Sequence, residues 1–513
     1  MRPVEGLLPH LAVLPVALPL LAGALALLLS RHAGGVRAIT VVSLSSLLMM
    51  SLVLLGQTAG GASWTYMLGD WPAPFGIAMA LDRLAALMLT VTAVMGIACR
   101  LAAGNEGSRR FDALLQFQLA GLNGAFLTAD LFNLFVFFEV LLAASYALLL
   151  DGQGTARLRA GLHYVTVNLL GSSLFLIAAA MFYGIVGTLN IADLDGRLAT
   201  LPASDVGLAQ VAGLLLLVVF AIKAAALPLG FWLPGTYGAA AVHVAVLFAV
   251  MTKVGIYSIL RVHGALFEAV PQTTSADLPL AGLALPWLLP AGLATLVLGA
   301  AGALAARDLR VLIAWLVVVS AGTLLAALGL GTVPATAAAL YYLPHSTFAA
   351  GAAFIAVEFI ARRRAGGSAT GAADYRINAA RPVRDAPWVA ALFFVTALVV
   401  AGLPPGSGFI AKILLLDAAA ATPAHAWVWS VVLLCSLVVV VALARCASAV
   451  FWRSSTADAT ADATPVETQG VDPGGRGMLL AALLLLGSGL LMVLFAHPVS
   501  GFLRQTAASL GAA

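Results

Sequence analysis

The chain has 513 residues, of which 62% are hydrophobic and only 9% are charged. Charged residues make up about a quarter of an ordinary soluble domain, so this composition excludes a soluble globular fold and indicates a protein embedded in lipid. The formal net charge of +4 does not indicate a nucleic-acid partner, because arginines at loop ends have a simpler role in setting membrane topology.

Apolar stretches of about 20 residues, long enough to cross a hydrocarbon core of roughly 30 Å, follow one another almost without interruption. They predict an all-α polytopic membrane protein with about fourteen transmembrane helices. The first stretch is interpreted as a retained helix rather than a signal peptide, because Arg2 and Glu5 make a poor basic leader and a second span follows at once. In chain order the stretches run approximately from 8 to 30, 36 to 57, 78 to 102, 111 to 128, 131 to 150, 160 to 187, 207 to 227, 239 to 262, 280 to 305, 308 to 330, 333 to 361, 387 to 421, 427 to 452 and 477 to 503.

The connections between these segments are short and unequally charged. When the loops are assigned alternately to the two sides of the membrane, most arginines fall on one side. By the positive-inside rule that side is cytoplasmic, and both termini then lie outside. Cys99, Cys435 and Cys446 lie in apolar segments without ligand spacing, so no disulfide framework, metal site or cofactor is predicted. Only three connections have much polar content, namely 188 to 206, 362 to 386 and 453 to 476.

Two segments carry clusters of proline and glycine that a simple helix would avoid. The clusters contain Pro228, Gly230 and Pro234 in segment seven, and Pro404, Pro405 and Gly408 in segment twelve. Proline removes a backbone donor and clashes with the carbonyl group four residues earlier, so each cluster predicts a broken helix. Broken helices at membrane depth are tolerated only where the freed backbone is buried in protein or lines a wet cavity.

The positions of two lysines relative to these breaks suggest an internal repeat. Lys223 lies five residues before Pro228, whereas Lys412 lies seven residues after Pro405. We interpret this opposite arrangement as the trace of an inverted repeat, although two unrelated proline clusters are the alternative. The predicted units are the N-terminal helices one to three in 1–110, a first repeat of segments four to eight in 111–262, a second repeat of segments nine to thirteen in 280–452, a flexible linker in 453–476, and helix fourteen with a tail in 477–513.

The three lysines of the chain, Lys223, Lys253 and Lys412, all lie inside apolar segments, whereas nearly all arginines lie at loop ends. Lysine can release its proton and arginine in practice cannot, so this placement favours an ion-translocation relay. Glu139 lies nine residues past Asp130, about 13 Å along a helix and near the midplane, and Lys223 is its natural counter-ion. The alternatives are a protonated structural carboxyl group, a static ion pair, and lysines that bind freed carbonyl groups.

Other polar residues in the segments are more ambiguous. His345 is a candidate bridge between the lysines and equally a structural histidine, while a structural role is favoured for His243. Segment six carries a polar stripe that is interpreted either as a path or as helix-packing contacts, namely His163, Thr166, Asn168, Ser172 and Ser173. Four acidic residues near helix ends are interpreted as solvated, namely Asp82, Asp112, Asp130 and Glu358.

Together with Glu139, the segments FAIKAAALPLGFWLPG, FAVMTKVGIYSILR and AGLPPGSGFIAKILLL carry a resemblance. The chain resembles the antiporter-like subunits shared by respiratory complex I, membrane-bound hydrogenases and Mrp-type (Mnh, Pha) cation/proton antiporters, and among them the D subunits of the Mrp-type group most. Complex I subunits usually carry a histidine at the place of Gly230 and often Asp-Ala at Gly235 and Thr236, so these departures favour the Mrp-type group.

The resemblance implies a subunit of a multisubunit Na⁺ or K⁺/H⁺ antiporter in a bacterial inner membrane, driven by the proton-motive force, with the other Mrp-type subunits as partners. It also implies that Glu139 and Lys223 form an ion-pair switch, that Lys253 is the central relay and that Lys412 is the terminal proton site. Because the chain carries no redox or hydrolytic motif, a secondary transporter subunit rather than an enzyme is expected. One alternative is a proton-pumping subunit of a complex I-like or hydrogenase-type oxidoreductase, and another is a scaffold whose ionisable groups are structural.

Overall fold

Helices form nearly all of the regular structure. The computed structural model describes residues 9–72, 74–104, 107–108, 110–152, 154–267, 280–365, 374–378, 383, 386–452 and 473–510. The helices in the first half of the chain are α1 (Leu14–Leu28), α2 (Ala33–Ala59), α3 (Arg83–Ala103), α4 (Phe111–Leu127), α5 (Leu131–Leu150), α6 (Thr155–Val186), α7 (Ile191–Leu198), α8 (Ala203–Ala224), α9 (Trp232–Ala239), α10 (Val242–Phe248), α11 (Met251–Ser258) and α12 (Gly264–Phe267). The second half contains α13 (Leu285–Ala305), α14 (Leu309–Leu328), α15 (Val333–Ala365), α16 (Pro387–Ala401), α17 (Ser407–Ala420), α18 (His425–Ala447), α19 (Pro473–Leu494) and α20 (Ala496–Leu510).

Within these ranges, 11 helical stretches are long and apolar enough to cross a membrane, and α1 and α16 are shorter apolar helices. The predicted polytopic, mostly helical membrane protein is therefore confirmed, whereas the count of fourteen spans stays a prediction. Segment eight is built from α10, α11 and a π-helical turn at Ile259–His263. The predicted linker lies, over 453–472, outside the residues that the structure describes.

The prediction of an all-α chain was wrong in one region. Strands β1 (Trp64–Met67) and β2 (Ala78–Leu81) form an antiparallel hairpin, with Trp64 opposite Leu81. The third predicted segment therefore begins with a strand, and its helix starts only at Arg83, after the side chain of Asp82 accepts a hydrogen bond from the Ala85 N–H group at 2.8 Å. The apolar run AMAL is too short to distinguish a strand from the first turn of a helix by pattern.

The interpretation of the acidic residues as solvated was also wrong for three of the four. Asp112, Asp130 and Glu358 are buried. Asp112 pairs with Arg100 on α3 at 2.7 Å, and Glu358 pairs with Arg310 on α14 at 2.7 Å. The negative charges of Asp112 and Glu358 are therefore each stabilised by a guanidinium group from another helix. The sequence of a single segment does not show such a partner.

Two short backbone pairings recur at corresponding places in the two halves. Asp130, which precedes α5, forms an antiparallel backbone bridge with Asn190, which follows α6. Asp308, which precedes α14, forms the same antiparallel bridge with Arg376, which follows α15. Each aspartate also caps its helix. The Asp130 carboxylate accepts a hydrogen bond from the Asn133 N–H group at 2.8 Å, and the Asp308 carboxylate accepts one from the Arg310 N–H group at 2.8 Å. These bridges fix the ends of α5 and α14, the helices that carry Glu139 and Ser320.

Helices α13 and α14 pack with their backbones in close contact. A Cβ atom at Gly322 would lie 2.4 Å from the backbone nitrogen of Leu296, and one at Gly292 would lie 2.3 Å from that of Ala326. Close approach through glycine is the usual basis of tight helix packing in membranes, where the hydrophobic effect does not drive helices together.

We expect Gly322→Ala to lower the stability of the protein by about 1–3 kcal/mol, because the added methyl group must push α13 away from α14. The measurement is the thermal unfolding midpoint of the detergent-purified chain. Gly184→Ala is the matched control, since a Cβ atom there meets nothing within 4 Å and alanine favours a helix over glycine. Equal midpoints for the two variants would show that the α13–α14 contact is not tight.

Candidate proton-relay site

The first break lies between α8 and α9. Helix α8 ends at Ala224, Ala225 has a left-handed conformation with φ 57°, and α9 starts at Trp232. Pro228 and Gly230 lie in the intervening turn, whereas Pro234 lies in the first turn of α9. A Cβ atom at Gly230 would lie 2.2 Å from the carbonyl oxygen of Ala225, so this turn requires glycine.

The freed backbone of this break is satisfied inside the protein. The N–H group of Leu227 donates to Thr295 Oγ1 on α13 at 2.8 Å. The indole Nε1 of Trp232 donates to the carbonyl oxygen of Ile222 at 3.1 Å, next to Lys223. These partners satisfy backbone groups that lipid would leave unpaired.

The second break lies between α16 and α17. Gly402, with φ 71°, ends α16, Pro404 and Pro405 lie in the turn, and Gly408 lies in the first turn of α17. The carbonyl oxygen of Ala401 accepts a hydrogen bond from Lys412 Nζ at 2.7 Å. A lysine that binds a freed carbonyl group was the structural alternative for this residue, and this contact is present.

Lys223 and Glu139 each form a hydrogen bond with a side chain of α6 rather than with each other. Lys223 is buried, and its Nζ donates to Asn168 Oδ1 at 2.9 Å and lies 5.4 Å from the ring centroid of Phe138. Glu139 is half-buried and accepts a hydrogen bond from Ser172 Oγ. Within the described part of the chain, no carboxylate oxygen lies within 4.0 Å of the Lys223 ammonium group.

The polar stripe of segment six divides into two faces. Asn168 and Ser172 are one helical turn apart on the buried face and stand between the carboxylate and the lysine. Thr166 and Ser173 are exposed, and their hydroxyl groups donate to carbonyl oxygens of their own helix at 2.9 and 3.0 Å. The buried face therefore carries the hydrogen-bond partners of Glu139 and Lys223, whereas the exposed face bonds only to its own backbone.

Lys253 lies on α11 and is only 1% exposed. Its Nζ donates to Ser320 Oγ on α14 at 2.7 Å, and Ser320 in turn donates to the carbonyl oxygen of Val317 at 2.7 Å. Helix α11 crosses α8 closely at Gly255, where a Cβ atom would lie 2.5 Å from the backbone nitrogen of Ala224. This crossing places the Lys253 helix directly against the end of the Lys223 helix.

Lys412 and His345 line one cavity. Its volume is about 30 Å³, which is enough for at least one water molecule. Lys412 Nζ donates to Ser436 Oγ at 2.8 Å, and His345 Nδ1 lies 2.8 Å from Ser407 Oγ at the start of α17. Ser320, the partner of Lys253, lines the same cavity.

The structure therefore brings together two groups of the predicted residues. Glu139 and Lys223 form one group around Asn168 and Ser172, and Lys412 and His345 form the other, which Lys253 reaches through Ser320. Sequence reasoning missed Ser320, Ser407 and Ser436, because serines are common in apolar helices and most of them bind only their own backbone. In the described ranges, no group of three or more His, Cys, Asp or Glu residues is placed to hold a metal ion.

Two broken helices that each have a lysine near the break, buried at Lys223 and half-buried at Lys412, are typical of an integral membrane protein of the ion-translocating class. Residues 128–443 match the family model described as NADH:quinone oxidoreductase/Mrp antiporter, transmembrane. The chain belongs to this family, and the resemblance found in the sequence is confirmed.

Within the family, the chain is similar to the D subunits of antiporters. It is 41% identical to the D subunit of a probable K⁺/H⁺ antiporter of Rhizobium meliloti (strain 1021), over 87% of this chain and 88% of that protein. It is 31% identical to the D subunit of the Na⁺/H⁺ antiporter of Bacillus subtilis (strain 168), over 98% of this chain and 97% of that protein. Its fold matches a chain of the Mrp complex from Dietzia sp. DQ12-45-1b with a TM-score of 0.84 and 28% identity, covering 98% of both chains.

We expect Ser320→Ala to lower the thermal unfolding midpoint, because it removes the hydroxyl group that accepts from the buried Lys253 ammonium. Leaving a buried charged donor unpaired costs about 1–3 kcal/mol or more. Ser346→Ala is the control, since Ser346 lines the same cavity but donates only to the Leu343 carbonyl of its own helix. The expectation fails if the two variants unfold at the same temperature.

Proposed function

We propose that this chain is the proton-translocating subunit of a multisubunit cation/proton antiporter that exchanges Na⁺ or K⁺ for H⁺ at the expense of the proton-motive force. The observation that carries the proposal is the polar series inside the membrane, in which two hydrogen-bonded groups of ionisable residues lie beside the two helix breaks. The similarity to antiporter D subunits over most of the chain supports it. Its partners are the other subunits of an Mrp-type complex in a bacterial plasma membrane.

In the proposed relay, Glu139 and Lys223 act as the switch through Ser172 and Asn168. Protonation of Glu139 removes the negative charge that favours the charged form of Lys223, and Lys223 then releases its proton more readily. Lysine is suited to this step because its charge can be removed by burial and by changes in its neighbours. The short polar side chains between the two groups transmit the change without fixing them as a permanent ion pair.

Lys253 is the proposed central site, His345 the bridge and Lys412 the terminal site. The Lys253 ammonium donates to Ser320 at the wall of the cavity that His345 and Lys412 also line. A water molecule bound in this cavity would have hydroxyl, imidazole and ammonium groups in its lining as partners. In the proposed relay, a proton passes between the two lysines through the groups that line this cavity.

We further propose that residues 111–262 and 280–452 are inverted repeats within fourteen spans, with both termini on the side poor in arginine. In support, the bridges of Asp130 and Asp308 occur in the same order along the chain, as do the left-handed residues Ala225 and Gly402 at the breaks. The π-helical turns at Ile259–His263 and Ser448–Trp452 also follow in the same order. Because the two repeats follow the same chain order, Lys223 before its break and Lys412 after its break are not equivalent positions, so the support for this proposal comes from the bridges and turns and not from the lysines.

A proton-pumping subunit of an oxidoreductase is the second candidate, since the family model includes NADH:quinone oxidoreductase. Antiporter D subunits cover most of this chain at 31% and 41% identity, which favours the antiporter. Purification of the intact complex tests the choice: small membrane subunits of the Mrp type support the antiporter, and flavin or iron–sulfur subunits support the second candidate.

We expect Glu139→Gln to leave the complex assembled and to reduce antiport roughly tenfold or more, because glutamine cannot gain or lose the proton. Antiport is measured as the Na⁺- or K⁺-dependent collapse of a pH gradient in everted vesicles, and assembly by copurification of the partner subunits. Asp205→Asn, at the start of α8, removes a similar charge away from the relay and serves as control. Undiminished antiport in Glu139→Gln would exclude the switch, and parallel losses of assembly and transport would indicate a scaffold.

We expect Asn168→Leu to reduce antiport to a similar extent, because leucine has a similar volume but cannot accept from Lys223. Thr166→Val is the matched control on the exposed face of the same helix, where the hydroxyl group bonds only to its own backbone. The comparison uses the same vesicle assay at equal amounts of assembled complex. If the two variants transport equally well, Asn168 is not part of the connection.

A further inference from the structure

A second small cavity lies where α15, α17 and α20 meet. Its volume is about 30 Å³, which is enough for at least one water molecule. We call it the α20 cavity, and the side chains that matter in its lining are those of Ala338, Tyr341, Leu414, Asp417, Ser500 and Arg504. Among the described residues, its lining shares no member with that of the cavity of His345 and Lys412.

Helix α20 forms one wall of this cavity and is packed on the rest of the fold. Leu503 and Ala507 are buried, whereas Ser500 and Arg504, one helical turn apart, line the cavity. The junction before α20 is also held, because the hydroxyl group of Tyr341 donates to the carbonyl oxygen of Met492 at 2.9 Å. The position of the Arg504 wall is therefore fixed by packing and by a hydrogen bond.

The two cavities lie along the same contact between α15 and α17. Tyr341 and His345 are four residues apart, so they share a face of α15 and are separated by about 6 Å along its axis. On α17, a Cβ atom at Gly408 would lie 2.6 Å from His345 Nε2. Asp417 is nine residues further along α17, about 13 Å at helical rise. The α20 cavity thus lies one helical turn beyond His345, and Tyr341 stands between them.

The ionisable groups of the α20 cavity come from three helices. Asp417 on α17 and Arg504 on α20 are exposed, and Tyr341 on α15 is buried. Within the described ranges, no basic group lies within 4.0 Å of the Asp417 carboxylate, so this carboxylate is not held in an ion pair. The Tyr341 hydroxyl group donates to Met492, and its oxygen can also accept a hydrogen bond from water.

This lining suits protons on water rather than a metal cation. Hard cations bound by proteins take about six or more oxygen ligands. Side-chain oxygens come here from Asp417, Ser500 and Tyr341, and the guanidinium group of Arg504 lines the same small space. A carboxyl group, a phenol and a water molecule can instead pass a proton by short hydrogen-bonded steps.

We propose that the α20 cavity is the mouth through which the terminal site exchanges protons with one side of the membrane. Asp417 is the exchanging carboxyl group, and the Tyr341 hydroxyl group is the link to His345. The cavity lies near the first residue of α15, at the opposite end from Arg362, Arg363 and Arg364 in its last turn, and so opens to the side poor in arginine. The proposal rests on the proposed function for its biological consequence.

The first test measures access of water-soluble reagents and does not depend on transport. In intact cells that contain the complete complex, Ala338→Cys is exposed to the membrane-impermeant anion sulfonatoethyl methanethiosulfonate, and the labelled fraction is measured by mass spectrometry. Ala339→Cys is the matched control, since both alanines are 1% exposed and only Ala338 lines the cavity. We expect labelling of Ala338→Cys to be roughly tenfold faster, because thiol reactivity follows access to solvent. Equal labelling of the two, or none at Ala338→Cys, overturns the mouth.

The second test asks whether Asp417 takes part in transport. We expect Asp417→Asn to reduce antiport in vesicles roughly tenfold or more at equal amounts of assembled complex, because asparagine cannot exchange a proton. Asp417→Glu keeps the carboxyl group and should retain most of the activity, whereas a merely structural role would not distinguish the two variants in this way. Asp205→Asn is the control for loss of an exposed carboxylate elsewhere.

The third test concerns the link through Tyr341. Tyr341→Phe keeps the ring and removes the hydroxyl group, so it should lower antiport while labelling of Ala338→Cys in the same chain stays as fast as before. Full antiport in Tyr341→Phe or in Asp417→Asn overturns the proposed route. If Glu139→Gln abolishes antiport while Asp417→Asn leaves it intact, the proposed function stands and the mouth alone is excluded.

Discussion

The organisation of this protein depends on one constraint, which is that a backbone group freed inside a membrane must find a polar partner within the protein. The constraint acts wherever a helix is interrupted. Pro19 in α1 frees the carbonyl group of Pro15, which accepts from Asn123 on α4 at 2.8 Å. The break after α8 is satisfied by Thr295, and the break after α16 by Lys412. Each of these interruptions therefore joins its helix to another part of the fold.

The kind of residue that satisfies a break also determines what the break can do. At Ala401 the partner is a lysine, whose ammonium group can lose its proton and which lines a polar cavity. At Ala239 the partner is an arginine, which keeps its charge at every physiological pH. The same structural need is thus met by a titratable cation in the proposed relay and by a permanent one at the end of α9. This difference explains why the distinction between lysine and arginine along the sequence is informative about function.

Much of this arrangement could be predicted from the sequence, because proline and glycine act locally and a charge in an apolar segment is conspicuous. The two breaks and the burial of Lys223 and Lys253 follow from such signals. The partners could not be predicted, because they come from distant positions: Glu358 pairs with a residue 48 positions away, and Asp82 pairs with Arg261 across 179 positions. Serine and asparagine give no local signal either, since their usual role in a helix is to bind its own carbonyl groups.

The indirect connection between Glu139 and Lys223 bears on how a switch can work at this depth. A direct ion pair in a low-dielectric interior is strong, and breaking it by removing one partner's charge costs several kcal/mol. Such a pair is stable but difficult to change. Placing Ser172 and Asn168 between the two charges weakens their attraction while leaving each group a hydrogen-bond partner. In the proposed switch, neither group would be left without a hydrogen-bond partner when the other changes its protonation state, so the two states would differ less in energy.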